Sequence, residues 1–257
     1  MSTDVPESPD QPSPAAFDAL YRGDFDTFKR VVQRAGDAQH TEFAFDRVPW
    51  DIGEAQPAVR NLEADGQFTS EVLDIGCGPG ENALFLTDRG YRVCGLDAAP
   101  AAIGIARERA RQRGLERAVE LDVADATALT GYTDRFTTVI DSALYHCFPE
   151  DQRHGYAAAL HGACRPHARL HLVCFSDQVP DEFPGPFRIT EDNLRGTLGD
   201  AGWLVRRLER TTYTTAITRA DLAQQPTSAL AAVATELDFD SHDRLLAPAW
   251  LATAERS

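Results

Sequence analysis

From residue 71 onward, short apolar runs alternate with longer amphipathic stretches. The apolar runs predict five strands, at Val72–Ile75, Tyr91–Leu96, Val119–Val123, Phe136–Asp141 and Leu170–Phe175. The stretches between them predict three helices, at Glu81–Arg89, Ala99–Arg113 and Glu150–Arg165. Gly90 and Gly114 stand just past the first two helices, as is typical of helix ends. This alternation predicts a mostly parallel sheet with helices on both faces.

Beyond Phe175 the pattern changes. Residues 176–189 contain three prolines and predict a loop, after which Thr190 caps a helix. Trp203–Thr215 alternates like a strand, and Pro248–Ala254 predicts a last strand at the edge of the sheet. We therefore predict one α/β domain over residues 67–257, with seven strands of which the last is antiparallel.

The first 66 residues divide into two parts. Residues 1–14 carry four prolines among small and acidic residues, a composition that predicts a disordered tail. Residues 15–66 are instead rich in aromatic side chains, which predicts a segment that covers part of the domain.

Composition excludes several kinds of protein. The net charge is −15, and a surface this acidic repels nucleic acid backbones. No apolar run is long enough to span a membrane, and the N-terminus lacks the features of a signal peptide. The five cysteines are scattered, which favours a reducing cytoplasm. The histidines and cysteines between His161 and Cys174 do not have zinc-ligand spacing, so we expect no metal.

Candidate chemistry concentrates after the first predicted strand. Gly76, Gly78 and Gly80 stand at alternate positions before a helix, where glycines let the backbone turn sharply and approach a ligand. This G-x-G-x-G spacing differs from the G-x-G-x-x-G that seats a pyrophosphate, and Pro79 lacks a donor that a phosphate cradle needs. The loop therefore favours a nucleoside without a diphosphate over a nicotinamide dinucleotide.

Two acidic residues follow the next two strands. Asp97 can accept hydrogen bonds from both ribose hydroxyls of such a nucleoside, and Asp125 can accept one from an adenine amino group. The carboxyl ends of parallel strands meet in one crevice, so we expect these groups to lie together.

With these features in order, residues 71–175 resemble the class I S-adenosylmethionine-dependent methyltransferases, which have a Rossmann-like fold. The resemblance implies S-adenosylmethionine as the cofactor, with its ribose at Asp97 and its adenine at Asp125 and Ala126. Asp74, Gly76, Cys77 and Gly78 would hold its methionine end. The segment 139–146 resembles the family's fourth-strand motif, which lines the sulfonium. The predicted cofactor site is completed by Asn82, Ala98, Asp141 and Ser142.

The segment 49–57 also carries a resemblance. Its sequence, Pro-Trp-Asp-Ile-Gly-Glu-Ala-Gln-Pro, is similar to that of small-molecule methyltransferases related to thiopurine methyltransferase and to bacterial heterocyclic toxin methyltransferases, which act on quinolone-type rings. The resemblance implies that Trp50 lies near the methionine end and that residues 15–66 form a helical lid. Packing of a helix against the sheet is the alternative role for Trp50.

Methyl transfer from a sulfonium is an in-line displacement, which needs positioning and exclusion of water more than a catalytic triad. The predicted walls of the acceptor pocket are Phe17, Tyr21, Phe25, Phe28, Trp50, His146, Phe183 and Phe187. His146 is the candidate general base, because histidine has a near-neutral pKa. Tyr145 and Asp141 would orient the acceptor. The alternative for His146 is packing or cofactor contact without a proton role.

We therefore predict a methyltransferase that acts on an O, N or S atom of a small aromatic or heterocyclic molecule. One alternative is a non-aromatic small acceptor such as a thiol or an acid. Another is a non-catalytic S-adenosylmethionine-binding sensor, which would keep the glycine loop but lack an open acceptor pocket.

Overall fold

The computed structural model describes residues 13–27, 46–181, 183 and 187–257. Of the predicted tail, residues 1–12 lie outside this part of the chain, and so does Phe28. Within the described residues no helix has both the length and the hydrophobicity needed to cross a bilayer.

Seven strands in the described residues form one sheet, in the order β3-β2-β1-β4-β5-β7-β6. Their bounds are β1 Val72–Ile75, β2 Val93–Asp97, β3 Val119–Val123, β4 Phe136–Ser142, β5 Cys164–Phe175, β6 Trp203–Thr218 and β7 Arg244–Arg256. The helices with described bounds are α1 Pro14–Tyr21, α2 Pro57–Ala64, α3 Glu81–Asp88, α4 Pro100–Gln112, α5 Glu150–Ala163, α6 Glu191–Asp200, α7 Arg219–Gln224 and α8 Ala229–Val233. Short 3-10 turns lie at Tyr145–Cys147 and Ala234–Glu236.

The predicted fold class is confirmed, but the place of the last strand is wrong. Strands β1 to β5 pair in parallel, whereas β7 pairs antiparallel with β5 on one side and β6 on the other. At this end of the sheet the edge strand is therefore β6, not β7. The run Ala249–Ala252 in β7 is buried at every position, as a strand covered on both faces requires.

Side chains of β1 illustrate how the sheet divides the core. Leu73 and Ile75 belong to a buried cluster that includes Tyr156 of α5 and Leu194 of α6. Val72 belongs to a second cluster, to which α2 and α3 contribute Val59, Leu62, Ala83 and Leu86. Because side chains alternate along a strand, Asp74 shares the face of Val72. A third cluster joins α4 to the start of α3 and to β3.

The helix ends agree with local sequence. Pro14, Pro57 and Pro100 occupy first-turn positions, where a missing N–H costs nothing. The Thr190 hydroxyl accepts a hydrogen bond from the Asn193 amide at 3.2 Å, which confirms the predicted cap of α6.

Candidate active site

The glycine loop between β1 and α3 needs its glycines for backbone and space. Gly76, Gly78 and Gly80 have φ of +68°, +52° and +85°, values that disfavour side chains. A Cβ on Gly76 would lie 2.9 Å from the Leu144 side chain, and one on Gly80 would lie 2.9 Å from the Ala106 Cβ. The loop is therefore held between the turn after β4 and helix α4.

Asp97 at the end of β2 fixes the loop from the other side. Its two carboxylate oxygens accept hydrogen bonds from the amides of Gly78 and Ala99, each at 2.8 Å. Burial raises the pKa of Asp97 above its usual range, although these two bonds oppose the shift. A carboxylate oxygen accepts more than one hydrogen bond, so both remain capable of accepting from a ribose diol.

Asp74 is the unusual carboxylate of the site. Its side chain is 1% exposed, and neither oxygen has a hydrogen-bond partner of normal geometry among the described residues. Burial raises the pKa of Asp74 to about 7, the backbone N–H of Ala83 opposes the shift, and the nearby carboxylates Asp97 and Asp141 add to it. An unpaired buried carboxylate is costly, so this position is suited to a cationic ligand group such as the α-ammonium of a methionine moiety.

Asp141 at the end of β4 has the opposite environment. One oxygen accepts from the amides of Leu144 and Tyr145 at 2.8 and 3.2 Å, and the other accepts from the Tyr156 hydroxyl at 2.8 Å. Burial raises its pKa to about 6, against these three bonds. Both oxygens are therefore engaged in shaping the turn after β4, and the predicted contact of Asp141 with an acceptor stays a prediction.

Tyr145, which was predicted to orient the acceptor, has its contacts within the core. The side chain is fully buried, and its hydroxyl donates to the Asn193 side chain at 2.9 Å. Its ring packs beside Tyr156, with the Arg153 guanidinium 5.6 Å from the ring centre. These contacts place Tyr145 between the turn after β4 and helix α6, within the core.

His146 is held in a state that argues against a general base. Its Nδ1 accepts a hydrogen bond from the Phe175 amide at 2.8 Å, so a neutral ring carries its proton on Nε2. Burial lowers the pKa of His146 to about 3, and the nearby Arg188 and Arg153 lower it further. A ring in this tautomer has no free lone pair with which to take a proton, so this arrangement favours the alternative of packing or cofactor contact without a proton role.

Three other predicted cofactor residues differ in their exposure to solvent. Asp125 is exposed and one of its oxygens accepts from the amide and hydroxyl of Thr127, at 2.8 and 2.7 Å. Its neighbour Ala126 is buried, whereas Ala98, beside Asp97, is exposed. The second Asp125 oxygen has no such local bond, and it keeps the capacity to accept from an adenine amino group.

Cys77 and Asn82 have contacts within the protein. The Cys77 side chain is buried in the cluster with Leu121, and its backbone N–H donates to the Leu96 carbonyl at 3.0 Å. The Asn82 side-chain oxygen accepts from the Gln56 amide at 2.9 Å. Asn82 therefore holds the segment 49–57, and its predicted contact with the cofactor stays a prediction.

The aromatic residues of α1 and segment 49–57 meet above the glycine loop. The Trp50 indole N–H donates to the Tyr21 hydroxyl at 2.7 Å, and the rings of Phe17 and Trp50 pack edge to face at 5.7 Å. A Cβ on Gly78 would lie 2.9 Å from the Tyr21 hydroxyl oxygen. Burial and the neighbouring Asp97 raise the pKa of Tyr21, so its hydroxyl stays neutral. Phe25 is half-buried in the next stretch of chain.

A second aromatic group lies at the ends of β5 and β6. Phe175 packs against His146, Phe183 and Tyr213, with ring centres 4.4, 5.5 and 6.1 Å apart. Phe187 lies under the Arg153 guanidinium at 5.1 Å, and its amide donates to the His146 carbonyl. Phe187 therefore contacts His146 directly and Phe183 lies one ring away through Phe175, while their place in an acceptor pocket stays a prediction.

Several residues of the site were not predicted. Gln56 is buried and its side-chain amide pairs with both the N–H and the C=O of Thr214 in β6, at 3.2 and 2.9 Å. Tyr213 is buried near Asp74 and Asp141, and burial raises its pKa. The hydroxyl of Ser142, a predicted cofactor residue, is buried without a hydrogen-bond partner of normal geometry among the described residues. Residues on β6 are too distant in sequence for a local pattern to connect them with the glycine loop.

Fold and site together define a Rossmann-like protein with a glycine loop and aspartates at the carboxyl ends of β1, β2 and β4. The methyltransferase domain family matches residues 72–167. A 2-heptyl-1-hydroxyquinolin-4(1H)-one methyltransferase of Mycobacteroides abscessus is 42% identical over 150 residues, which are 58% of this chain and 66% of that protein, just under two thirds of its length.

Two further similarities extend this finding. A thiopurine S-methyltransferase of Pseudomonas fluorescens is 29% identical over 154 residues, 55% of this chain and 69% of that protein. A solved structure from work on the conversion of a disulfide bond into a thioacetal group during echinomycin biosynthesis is 35% identical, with a TM-score of 0.72, and the match covers 95% of this chain and 93% of that one. The chain belongs to the class I S-adenosylmethionine-dependent methyltransferases, and its cofactor is S-adenosylmethionine.

Proposed function

We propose that this enzyme transfers a methyl group to an O, N or S atom of a small aromatic or heterocyclic molecule. The observation that carries the proposal is the aromatic group around Phe175, which lies beside the turn after β4. Flat apolar side chains of this kind favour a flat apolar ligand. The similarity to a hydroxyquinolone methyltransferase supports the same class of acceptor.

For the cofactor, we propose that Asp74 pairs with the methionine ammonium, Asp97 binds the ribose hydroxyls and Asp125 binds the adenine amino group. The backbone of Gly76 to Gly78 lines the methionine end. S-adenosylmethionine supplies an electrophilic methyl group on its sulfonium. The protein's own contribution is to hold the acceptor atom in line and to exclude water.

We further propose that α1 and segment 49–57 cover the cofactor, as the sequence resemblance implies. The contact of Tyr21 with Gly78 and the hydrogen bond from Trp50 to Tyr21 support this placement. Phe17, Tyr21 and Trp50 would then belong mainly to the cofactor side of the cavity. Phe183 and Phe187 would belong mainly to the acceptor side.

The experiment is a turnover assay with the full chain, S-adenosylmethionine and a panel of hydroxyquinolones, phenols, thiols and aliphatic acids. Release of S-adenosylhomocysteine and the mass of the methylated product are measured together. We expect turnover with the hydroxylated ring compounds and little with aliphatic acids. Turnover confined to aliphatic acceptors would contradict the aromatic proposal, and cofactor binding without any turnover would favour the sensor.

A thiol acceptor is the second candidate. The similarities to a thiopurine S-methyltransferase and to a protein studied for sulfur chemistry favour it. Thiols ionise at a lower pH than phenols do, so they need less help from a base. Aromatic and aliphatic thiols in the same panel distinguish the ring from the sulfur as the feature that the pocket selects.

A further inference from the structure

A half-buried ion pair fastens segment 49–57 to the helices beside the glycine loop. The Arg109 guanidinium on α4 makes two parallel hydrogen bonds to the Asp51 carboxylate, at 3.0 and 2.6 Å. The side chains of Arg109 and Asp51 are 24% and 18% exposed. Paired geometry of this kind is the strongest that arginine makes with a carboxylate.

The same guanidinium also reaches the helix that follows the glycine loop. Arg109 donates to Glu81 at 2.9 Å, and Glu81 is the first residue of α3. Arg113, one turn further along the chain, donates to both oxygens of Glu81 at 2.8 and 2.7 Å. Segment 49–57, α3 and α4 are therefore joined through one network of charges.

Asp51 directly follows Trp50, whose indole contacts the hydroxyl that lies over Gly78. Helix α1, which carries Tyr21, is anchored to the same platform, because the Asp18 carboxylate accepts from the Ala101 amide at the start of α4 at 2.7 Å. Helix α4 thus holds both covering pieces, one at each of its ends.

We propose that Arg109 is a positioning residue for cofactor binding. It holds Asp51, and through Asp51 it keeps Trp50 and Tyr21 closed over the glycine loop. Loss of the ion pair leaves the cofactor contacts of Asp74 and Asp97 intact but allows the cover to open. This inference rests on the proposed placement of the cofactor under Trp50 and Tyr21.

The test is calorimetric titration of S-adenosylhomocysteine into the full chain and its variants. Arg109→Gln and Asp51→Asn should each raise the Kd about 5- to 20-fold, since they break a partly buried charge pair. The double variant should bind no more weakly than Arg109→Gln alone, because the pair with Asp51 is already lost in that variant. Arg109→Lys should fall between wild type and Arg109→Gln, because lysine cannot form the two parallel bonds.

Arg111→Gln is the matched control. Arg111 lies on the same helix and pairs with Glu108, but its side chain is 67% exposed. Its removal should change the Kd less than about twofold, as is usual for an exposed pair. Acrylamide quenching of tryptophan emission should increase in Arg109→Gln, and this increase should vanish in a Trp50→Phe background.

The outcomes separate two claims. If the wild-type chain binds no S-adenosylhomocysteine, the proposed cofactor site fails. If the wild type binds and folded Arg109→Gln and Asp51→Asn bind equally well, the positioning role of Arg109 is overturned. An equal loss in Arg111→Gln would also overturn it, because the effect would then be one of net charge.

Discussion

The carboxyl ends of β1 and β4 are neighbours in the sheet, yet their buried aspartates have opposite surroundings. Ile75 pairs directly with Asp141, so Asp74 and Asp141 lie on adjacent strands one position apart. Asp141 has three hydrogen bonds from the protein, and Asp74 has none of normal geometry in the described residues. The comparison teaches that a satisfied buried carboxylate organises the protein, whereas an unsatisfied one is available to a ligand.

The cost of burying a carboxylate explains why the two aspartates differ in role. A buried carboxylate without a partner costs stability, and folding retains such a group where another component satisfies it. The three bonds to Asp141 instead stabilise the turn that carries His146 and borders Gly76. Predictions about the two residues should therefore diverge, in stability for Asp141 and in cofactor affinity for Asp74.

The largest effect is expected from Asp141→Ala. The change leaves the Tyr156 hydroxyl and two amides without an acceptor, so the free energy of unfolding should fall by about 3 kcal/mol. Urea denaturation of the ligand-free chain measures it. Tyr156→Phe removes one of the three bonds and should cost about 1 kcal/mol. If Asp141→Ala lowered the free energy of unfolding by less than Tyr156→Phe does, the structural role of Asp141 would be contradicted.

Asp74→Asn should weaken cofactor binding without lowering stability. At pH 8 its free energy of unfolding should be equal to or above that of wild type, because the variant no longer buries a charge. The Kd for S-adenosylhomocysteine should increase about 30-fold, the scale of a charge-assisted bond to an ammonium. Asp122→Asn is the control, because Asp122 is half exposed and pairs with Arg107. A destabilisation as large as that of Asp141→Ala would contradict the comparison.

The smallest effect is expected at His146. Its pKa is about 3, so the ring stays neutral through the range in which a catalytic histidine titrates. His146→Gln keeps an oxygen that can accept from the Phe175 amide. Its kcat at saturating S-adenosylmethionine should follow the wild-type pH profile between pH 5.5 and 8.5. If the wild-type kcat changed with pH around 6.5 and this change were absent from His146→Gln, His146 would be the general base after all.

Much of the fold could be predicted from local pattern. The predicted bounds of β1 and β3 agree with the structure, and β4 extends one residue further. Strand β5 begins at Cys164, six residues before the predicted start at Leu170. The prediction began too late because Pro166 and His167, which has a φ of +63°, interrupt the apolar pattern that marks a strand. The position of β7 depends on pairing with β5 and β6, which no local window contains.

The candidate site divides in the same way. The glycine loop, Asp97 and Asp125 follow strand ends, and the sequence alone indicates such positions. The state of His146 depends on the amide of Phe175, 29 residues away, and the pairing of Gln56 depends on Thr214, 158 residues away. Long-range hydrogen bonds decide protonation and orientation, so residue type and spacing could not reveal them.

We propose that the buried Asp74 carboxylate receives the ammonium of the cofactor. With a pKa of about 7, Asp74 is protonated below neutral pH and must lose its proton to pair with a cation. Affinity for S-adenosylhomocysteine should therefore fall as the pH drops, approaching about tenfold per unit well below pH 7, and level off above pH 8. Calorimetry at pH 7 in two buffers of different ionisation enthalpy should detect about half a proton released per molecule bound, because Asp74 is half protonated there, and Asp74→Asn should release none. Equal affinity at pH 5.5 and pH 8 in the wild type, or the same proton release in Asp74→Asn, would contradict the claim.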